Sequence, residues 1–300
     1  LRNLKSSIFI GQTRLVIEGG AKHGIQPCLS SNKSIGMVYN GEIYNADKSS
    51  ISGSKKDFMS DTEHLFEGLV KNGSEYFNTA NGMYAVVFVD ILKQEITISR
   101  DRYGKKPLYF RKSKNSLYIS SEIKPLLTIK NKINYKTARE YLVKNKLRTS
   151  NETFYDGIMS FQSGETICFN LKNGKVLRRS RLKISSQDTD LNNIVMQSIQ
   201  DRFSKFTPSC VALSGGLDSS IIFSILRKIG KELPTYSIAF KEKNLSEEKY
   251  IDALEPKINN RIYPTFEQYW NTIDKVLVAN EEPFRSWGQI NLYLLYERIK

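Results

Sequence analysis

Apolar and polar positions follow two rhythms along this chain. In the N-terminal half the rhythm is that of strands. Asn81-Gly82-Met83-Tyr84-Ala85-Val86-Val87-Phe88-Val89-Asp90 is apolar almost throughout, as a strand buried on both faces would be, and Glu95 to Ser99 reads as its neighbour. Ser7 to Ile17 is also rich in β-formers. Ile35-Gly36-Met37-Val38-Tyr39 and Glu42-Ile43-Tyr44-Asn45 flank Asn40-Gly41, so propensity predicts a strand, an Asn-Gly turn and a second strand, a hairpin. Short β-segments are expected at Leu117 to Ser121, Thr153 to Ile158 and Gly164 to Ile167, with a turn at Lys172-Asn173-Gly174 and the β-rich region ending near Arg181. Helical spacing enters at Ser60-Asp61-Thr62-Glu63, residues suited to capping, and continues through Leu65, Phe66, Leu69 and Val70. Tyr135 to Lys146 is a second expected helix.

Beyond Arg181 the rhythm changes. Lys183 to Asp190 is polar and reads as a linker, and Leu191 to Arg202 as a helix. Val211-Ala212-Leu213 is a short apolar run, Ser214-Gly215-Gly216-Leu217-Asp218-Ser219-Ser220 turns on paired glycines, and Ile221 to Gly230 has helical spacing with a glycine suited to the position after the helix. A strand over Thr235 to Phe240, a helix starting at Ser246-Glu247-Glu248 and a helix over Ile290 to Lys300 follow. This alternation implies a parallel sheet with ligands at the carboxyl ends of its strands. The fold class expected is α/β with an α+β N-terminal half, in two domains, 1–182 and 191–300.

Bulk composition narrows the classes. Three hundred residues allow two cores, and 40% hydrophobic with 25% charged residues is ordinary for a folded chain without an apolar run of membrane-spanning length. Leu1 to Ser7 have no signal-peptide pattern, and Cys28, Cys168 and Cys210 are too few and too scattered for a disulfide framework or zinc site, which fits a reducing cytoplasm. His23 and His64 have no metal-ligand spacing. The formal charge of +14 admits anionic partners, yet the lysines are interspersed with acids, so neither nucleic acid nor membrane is the expected partner.

The glycine turn carries the first chemistry. Glycines let backbone approach a ligand, and the unpaired N–H groups at a helix start favour an anion. No Gly-x-x-x-x-Gly-Lys-Ser/Thr occurs. Ser-Gly-Gly-Leu-Asp-Ser-Ser instead resembles the pyrophosphate loop of ATP pyrophosphatases. That resemblance implies attack at the α-phosphate of ATP, with Leu213, Ser214, Gly215, Gly216, Leu217, Asp218 and Ser219 around the departing pyrophosphate and Asp218 helping to hold Mg²⁺.

Asn40-Gly41-Glu42-Ile43-Tyr44-Asn45, preceded by Gly11-x-x-Arg14-Leu15 and Gln26-Pro27 and followed by Ser60-Asp61-Thr62-Glu63, is similar to the class II glutamine amidotransferase signature of asparagine synthetases. The resemblance implies an Ntn-type αββα sandwich followed by a parallel-sheet ATP-pyrophosphatase domain. It places Arg14, with Leu15, at the α-carboxylate of glutamine, Glu42 and Asp61 at its ammonium group, and Asn40 and Gly41 in the oxyanion hole. A guanidinium fork, carboxylates and fixed N–H donors are what a zwitterion and a developing oxyanion require. In the second domain it places adenine near Ile238, although Ala239 stands where glycine is usual and Asn291 where proline is common; Glu281-Glu282-Pro283-Phe284 also fits. Arg100 to Phe110 reads as a basic turn between strands, with a structural role outweighing a phosphate contact.

The activity so implied is glutamine-dependent formation of asparagine from aspartate and ATP, with a homodimer allowed. A β-lactam synthetase-like enzyme, a sugar amidotransferase of polysaccharide pathways and a tRNA-modifying pyrophosphate-loop enzyme stay open as alternatives. The family attacks glutamine with an N-terminal cysteine, usually followed by Arg-Gly-Pro-Asp before the residues matching Gly11, and this chain shows neither. Nor does it show the family's later Ser-Gly-Glu-Gly-x-Asp-Glu and lysine. Either the chain is a fragment lacking both ends or the glutaminase is dead. The retained glutamine-holding set favours a fragment, expected to make no asparagine even from ammonia.

Overall fold

The computed structural model describes residues 7–13, 23–46, 60–145, 150–182, 190–203, 208–242 and 246–299. They form two compact units, Leu1–Arg139 with Arg148–Gln187, and Glu140–Leu147 with Asp188–Lys300. In chain order the elements up to Arg181 are β1 (Cys28–Leu29), β2 (Ile35–Ile43), α1 (Asp61–Asn72), β3 (Gly82–Asp90), β4 (Glu95–Arg100), β5 (Tyr109–Lys112), β6 (Leu117–Ser120), α2 (Tyr135–Lys144), β7 (Ile158–Ser160), β8 (Glu165–Asn170) and β9 (Val176–Arg181). A six-stranded sheet in the order β1-β2-β3-β4-β8-β9 and a three-stranded sheet in the order β6-β5-β7 are both antiparallel.

Strand alternation divides the core in two. Met37, Tyr39, Ile43, Tyr84, Val86 and Phe88 pack against Leu65 and Leu69 of α1 and against Tyr76 and Phe77 just beyond it. The intervening residues Ala85, Val87 and Val89, with Ile98 and Ile167, face Leu108, Phe110, Ile119 and Phe161 on the side of the smaller sheet. The first unit is therefore layered helix, sheet, sheet. β3 is buried on both faces because each face meets a different layer, as its apolar run predicts. Ser60 caps α1 by accepting from Glu63 N, again as its sequence predicts.

The Asn40-Gly41 hairpin does not form. β2 runs unbroken from Ile35 to Ile43 and pairs with β3 over its whole length, Asn40 opposite Ala85 and Gly41 opposite Tyr84. A two-residue Asn-Gly hairpin turn needs positive φ at both residues, and neither has it here. Burial of Met37, Tyr39 and Ile43 on one face, together with the long β3 partner, keeps the segment straight. At Gly41 the reason for glycine is close approach: a Cβ there would lie 2.1 Å from the Met83 carbonyl oxygen. The β-rich expectation for Ser7 to Ile17 also fails over residues 7–13, which carry no strand, and 14–17 lie outside the described residues.

The second unit contains α3 (Leu191–Arg202), β10 (Val211–Ala212), α4 (Leu217–Lys228), β11 (Thr235–Ile238), α5 (Glu248–Asp252), β12 (Asn259–Ile262), α6 (Phe266–Asn280) and α7 (Gly288–Ile299). Its sheet, β10-β11-β12, is parallel, so the chain is mixed α/β, with antiparallel sheets first and a parallel sheet after them. Val211, Leu213, Phe223, Leu226 and Ile251 form its core cluster. Of the linker expected over Lys183 to Asp190, only Asp190 is described, and it caps α3 by accepting from Asn193 N. α4 starts at Leu217 rather than Ile221, so its first turn is made of the loop's own Leu217, Asp218 and Ser219. Among the described residues no helix is long and apolar enough to cross a membrane.

Candidate functional site

In the first unit the site is assembled on β2 and on the start of α1. Asp61, the first residue of α1, accepts on Oδ2 from the Tyr39 hydroxyl at 2.7 Å and from Ile43 N at 3.0 Å. The carboxylate is thereby fixed to β2 on either side of Gly41. Burial, with Asp61 beside it, pushes the Tyr39 phenol well above its ordinary pKa, so the hydroxyl stays a donor. Among the described residues, Asp61 Oδ1 receives only the Thr62 hydroxyl, at 3.3 Å.

Gln26 completes the frame. Its side chain takes the place of a neighbouring strand, accepting from Tyr39 N at 2.6 Å and donating to Tyr39 O at 3.0 Å; Gln12 donates to the same carbonyl at 2.9 Å. The backbone of Tyr39 and the N–H of Ile43 thus point away from β3. Hydrogen-bonding sides alternate along an antiparallel strand, so Gly41, between them, sends its N–H the same way, beyond the end of β1. Asn40 and Glu42 share the opposite face of β2 from Tyr39 and Ile43. Asn40 Nδ2 donates to Ser121 Oγ at 3.3 Å.

The structure therefore places Asn40, Gly41 and Glu42 in succession on β2 and ties Asp61 to the residues flanking them, Tyr39 and Ile43, while Arg14 and Leu15 lie outside the described residues. Sequence reasoning assigned no part to Tyr39, Ser121 or the Gln26 side chain. Only Gln26 carried a signal, as half of the Gln-Pro pair.

Arg100 to Phe110 is a structural turn. The Arg100 guanidinium donates to the carbonyls of Lys106 (2.7 Å), Gly104 (2.8 Å) and Phe161 (2.5 Å) and to Ser160 Oγ (2.9 Å). Asp101, buried at 1% exposure, accepts from the N–H groups of Tyr103, Lys105 and Lys106.

In the second unit the glycine loop leaves the carboxyl end of β10. Leu213 is a core residue whose N–H donates to Tyr236 O at 2.9 Å, so only its backbone borders the loop, whereas Leu217 is 75% exposed. Gly215 has φ +88°, and Gly216 is the N-cap of α4 with no side chain to accept from the first turn. The hydroxyls brace the loop from within. Ser214 N donates to Ser219 Oγ at 3.2 Å, Gly216 N to Ser214 Oγ at 3.2 Å, and Ser219 Oγ to Gly216 O at 3.1 Å. The N–H groups of Leu217, Asp218 and Ser219 are thus the uncapped donors of a helix start, the arrangement that receives an anion. Ile238 ends β11, the strand next to β10, so loop and Ile238 lie at the same edge of the parallel sheet.

Asp218 is exposed in this first turn. Among the described residues no group of three or more His, Cys, Asp or Glu is placed to hold a metal ion. One carboxylate still suits Mg²⁺ when phosphate oxygens and water complete the octahedron.

The family model described as a glutamine amidotransferase domain matches residues 3–180, and that described as asparagine synthase matches residues 190–300. Among curated proteins, the chain is similar to asparagine synthetase [glutamine-hydrolyzing] 3 of Bacillus subtilis, 28% identical over 269 residues, which are 82% of this chain and 43% of that protein. It is 26% identical over 328 residues to the putative asparagine synthetase [glutamine-hydrolyzing] 2 of Methanocaldococcus jannaschii, covering 98% of this chain and 63% of that protein. With two of the Bacillus subtilis relatives it shares 43% and 47% of their length, so the chain spans about half of them. Among solved structures, glutamine phosphoribosylpyrophosphate amidotransferase from B. subtilis aligns with 84% of this chain and 50% of its own at 16% identity and a TM-score of 0.38, too slight a likeness to carry weight.

Proposed function

The chain belongs to the glutamine-hydrolysing asparagine synthetase family, and from that premise we propose that it serves the ATP-dependent, glutamine-dependent formation of asparagine from aspartate in the cytoplasm, with residues 1–182 as glutaminase domain and 191–300 as adenylating domain. The observation that carries the reading is the tandem of the two family matches, over residues 3–180 and 190–300.

In the first domain, Glu42 and the remaining oxygen of Asp61 hold the ammonium group of glutamine, and Arg14 with Leu15 its carboxylate. The Asn40 amide and the Gly41 N–H stabilise the oxyanion that develops at the side-chain carbonyl. Gly41 is suited to this because Gln26 and Asp61 fix the backbone on both sides of it. In the second domain a β-carboxylate oxygen of aspartate bonds to the α-phosphorus of ATP, and the bond to pyrophosphate breaks, leaving aspartyl-adenylate. Ser214 to Ser219 receive the pyrophosphate on the open start of α4, and the backbone near Ile238 meets adenine. Asp218 holds Mg²⁺, which when bound neutralises charge on the phosphates. Ammonia then bonds to the acyl carbon, its nitrogen loses a proton to water, and AMP leaves with the electron pair of the broken C–O bond.

Calorimetric titration of the chain with ATP, with and without Mg²⁺, tests the nucleotide half. Wild type should bind more tightly with Mg²⁺. Asp218→Asn should lose about tenfold in affinity and most of the Mg²⁺ dependence, at unchanged melting temperature. Equal ATP affinity in wild type and variant, with or without the metal, would count against Asp218 as its ligand.

A further inference from the structure

The nucleotide loop does not stand alone at the sheet edge. A Cβ added at Gly215 would lie 2.8 Å from the carbonyl oxygen of Glu247, 3.0 Å from its Cβ and 3.3 Å from Ile251 Cγ1. The turn of the loop is therefore in backbone contact with the start of α5. That carbonyl is itself committed to α5, accepting from Tyr250 N at 2.9 Å and Ile251 N at 3.3 Å. The Gly215 turn packs directly on the start of α5, so a shift of α5 changes the space in which the turn sits.

α5 has five residues, too few to hold its place by helix propensity. Ile251 anchors it in the core, and a polar clamp does the rest. Glu248 Oε1 accepts from Arg261 Nη1 at 2.8 Å and from the Tyr263 hydroxyl at 2.6 Å, while Oε2 accepts from Ser246 Oγ at 3.0 Å. The second Arg261 nitrogen, Nη2, meets Asp252 at the far end of α5, so one guanidinium grips both ends of the helix. Arg261 lies on β12, where the Asn259 amide, oriented to suit all its neighbours, accepts from Arg261 Nε at 2.9 Å. The side chains of Arg261 and Glu248 are only 27% and 24% exposed, which sets this pair apart from the solvated ion pairs of a surface.

We propose that Arg261 and Glu248 are positioning residues for pyrophosphate: they clamp α5 to β12, and the Glu247 backbone in turn holds the Gly215 turn, which aims the N–H groups at the start of α4. The inference rests on the nucleotide reading of Ser214 to Ser219. It makes a distinction that a general stabilising role does not. The clamp bears on the turn that meets the phosphates, whereas adenine is assigned to the end of β11, so the two parts of the nucleotide should respond differently.

Calorimetry on the full 300-residue chain, with magnesium pyrophosphate and with AMP as separate probes, reads this difference. Glu248→Gln keeps the shape and an acceptor for Tyr263 but removes the charge that Arg261 grips. It should raise the Kd for pyrophosphate by about tenfold, the value of one charge-assisted hydrogen bond, and leave that for AMP within about twofold. Tyr263→Phe, a milder change at an exposed side chain, should move the pyrophosphate Kd in the same direction by about threefold, and it serves if Glu248→Gln does not fold. Equal weakening of both probes, or wild-type pyrophosphate affinity in a folded Glu248→Gln, overturns the clamp and leaves the nucleotide reading intact. A wild type that binds neither probe overturns both.

Discussion

α1 and α4 both begin with an acidic residue in the first turn, yet one start is closed and the other open. At α1 the protein supplies a cap and ties one carboxylate oxygen to the sheet. Ser60 accepts from Glu63 N at 3.3 Å, and Asp61 turns back to take the Tyr39 hydroxyl and the Ile43 N–H. At α4 the N-cap is Gly216, which has no side chain to offer, and the nearby serines bond among themselves and to Gly216 O rather than to the first-turn N–H groups. A carboxylate at a helix start is therefore not one signal but two. At a closed start it ties the helix to its sheet; at an open one it stands beside donors left for a ligand.

Substitutions at the two starts should separate these roles. The largest effect is expected at the closed one. Asp61→Ala leaves the buried Tyr39 hydroxyl and the Ile43 N–H without their acceptor and should cost about 3 kcal/mol in urea unfolding. A loss under about 1 kcal/mol would make Asp61 no more of an anchor than an exposed carboxylate. Ser60→Ala removes only the cap and should cost about 1 kcal/mol, with the loss confined to stability in the same assay. The smallest change in stability, and of opposite sign, is expected from closing α4. Gly216→Asp supplies the missing cap at a residue whose φ of −70° and ψ of 162° suit any side chain, with only Ser214 Oγ, at 3.3 Å, near the new Cβ. It should gain a few tenths of a kcal/mol, on the order of a glycine cap replaced, while pyrophosphate binding is lost to the added negative charge. Undiminished pyrophosphate affinity in that variant would break the contrast.

How far each start was legible depended on the reach of its signals. Ser60-Asp61-Thr62-Glu63 announces its helix because a cap and the N–H that donates to it lie within one turn, and Asn81 to Asp90 announces its strand because continuous burial leaves continuous apolar residues. The Tyr39–Asp61 bond spans 22 residues and leaves no pattern that a local window can detect. Asn40-Gly41 misleads because the same dipeptide serves a tight turn and a strand forced close to its neighbour; only the partner strand decides, and β3 decided for the strand. β12 escaped notice since Asn259, Asn260 and Arg261 lack β-formers, and its place is set by pairing with β11. α6 does carry a local sign in its sequence, the capping box of Thr265 and Gln268. Arg14 and Leu15 lie outside the described residues, so their part in holding glutamine stays a proposal.

The ladder between β2 and β3 matches nine residues with nine. Both the face that a side chain takes and the side to which a backbone N–H turns alternate along it with period two. An extra or missing residue between Ile35 and Tyr39, if the ladder slid to absorb it, would swing Asn40 and Glu42 round toward α1 and bring the Gly41 N–H to bear on β3. Exchanging one side chain for another in the same stretch would do neither. What this stretch must preserve across descent is thus an odd or even count as well as its buried Met37 and Tyr39: a change of length by one residue would misdirect every position after it.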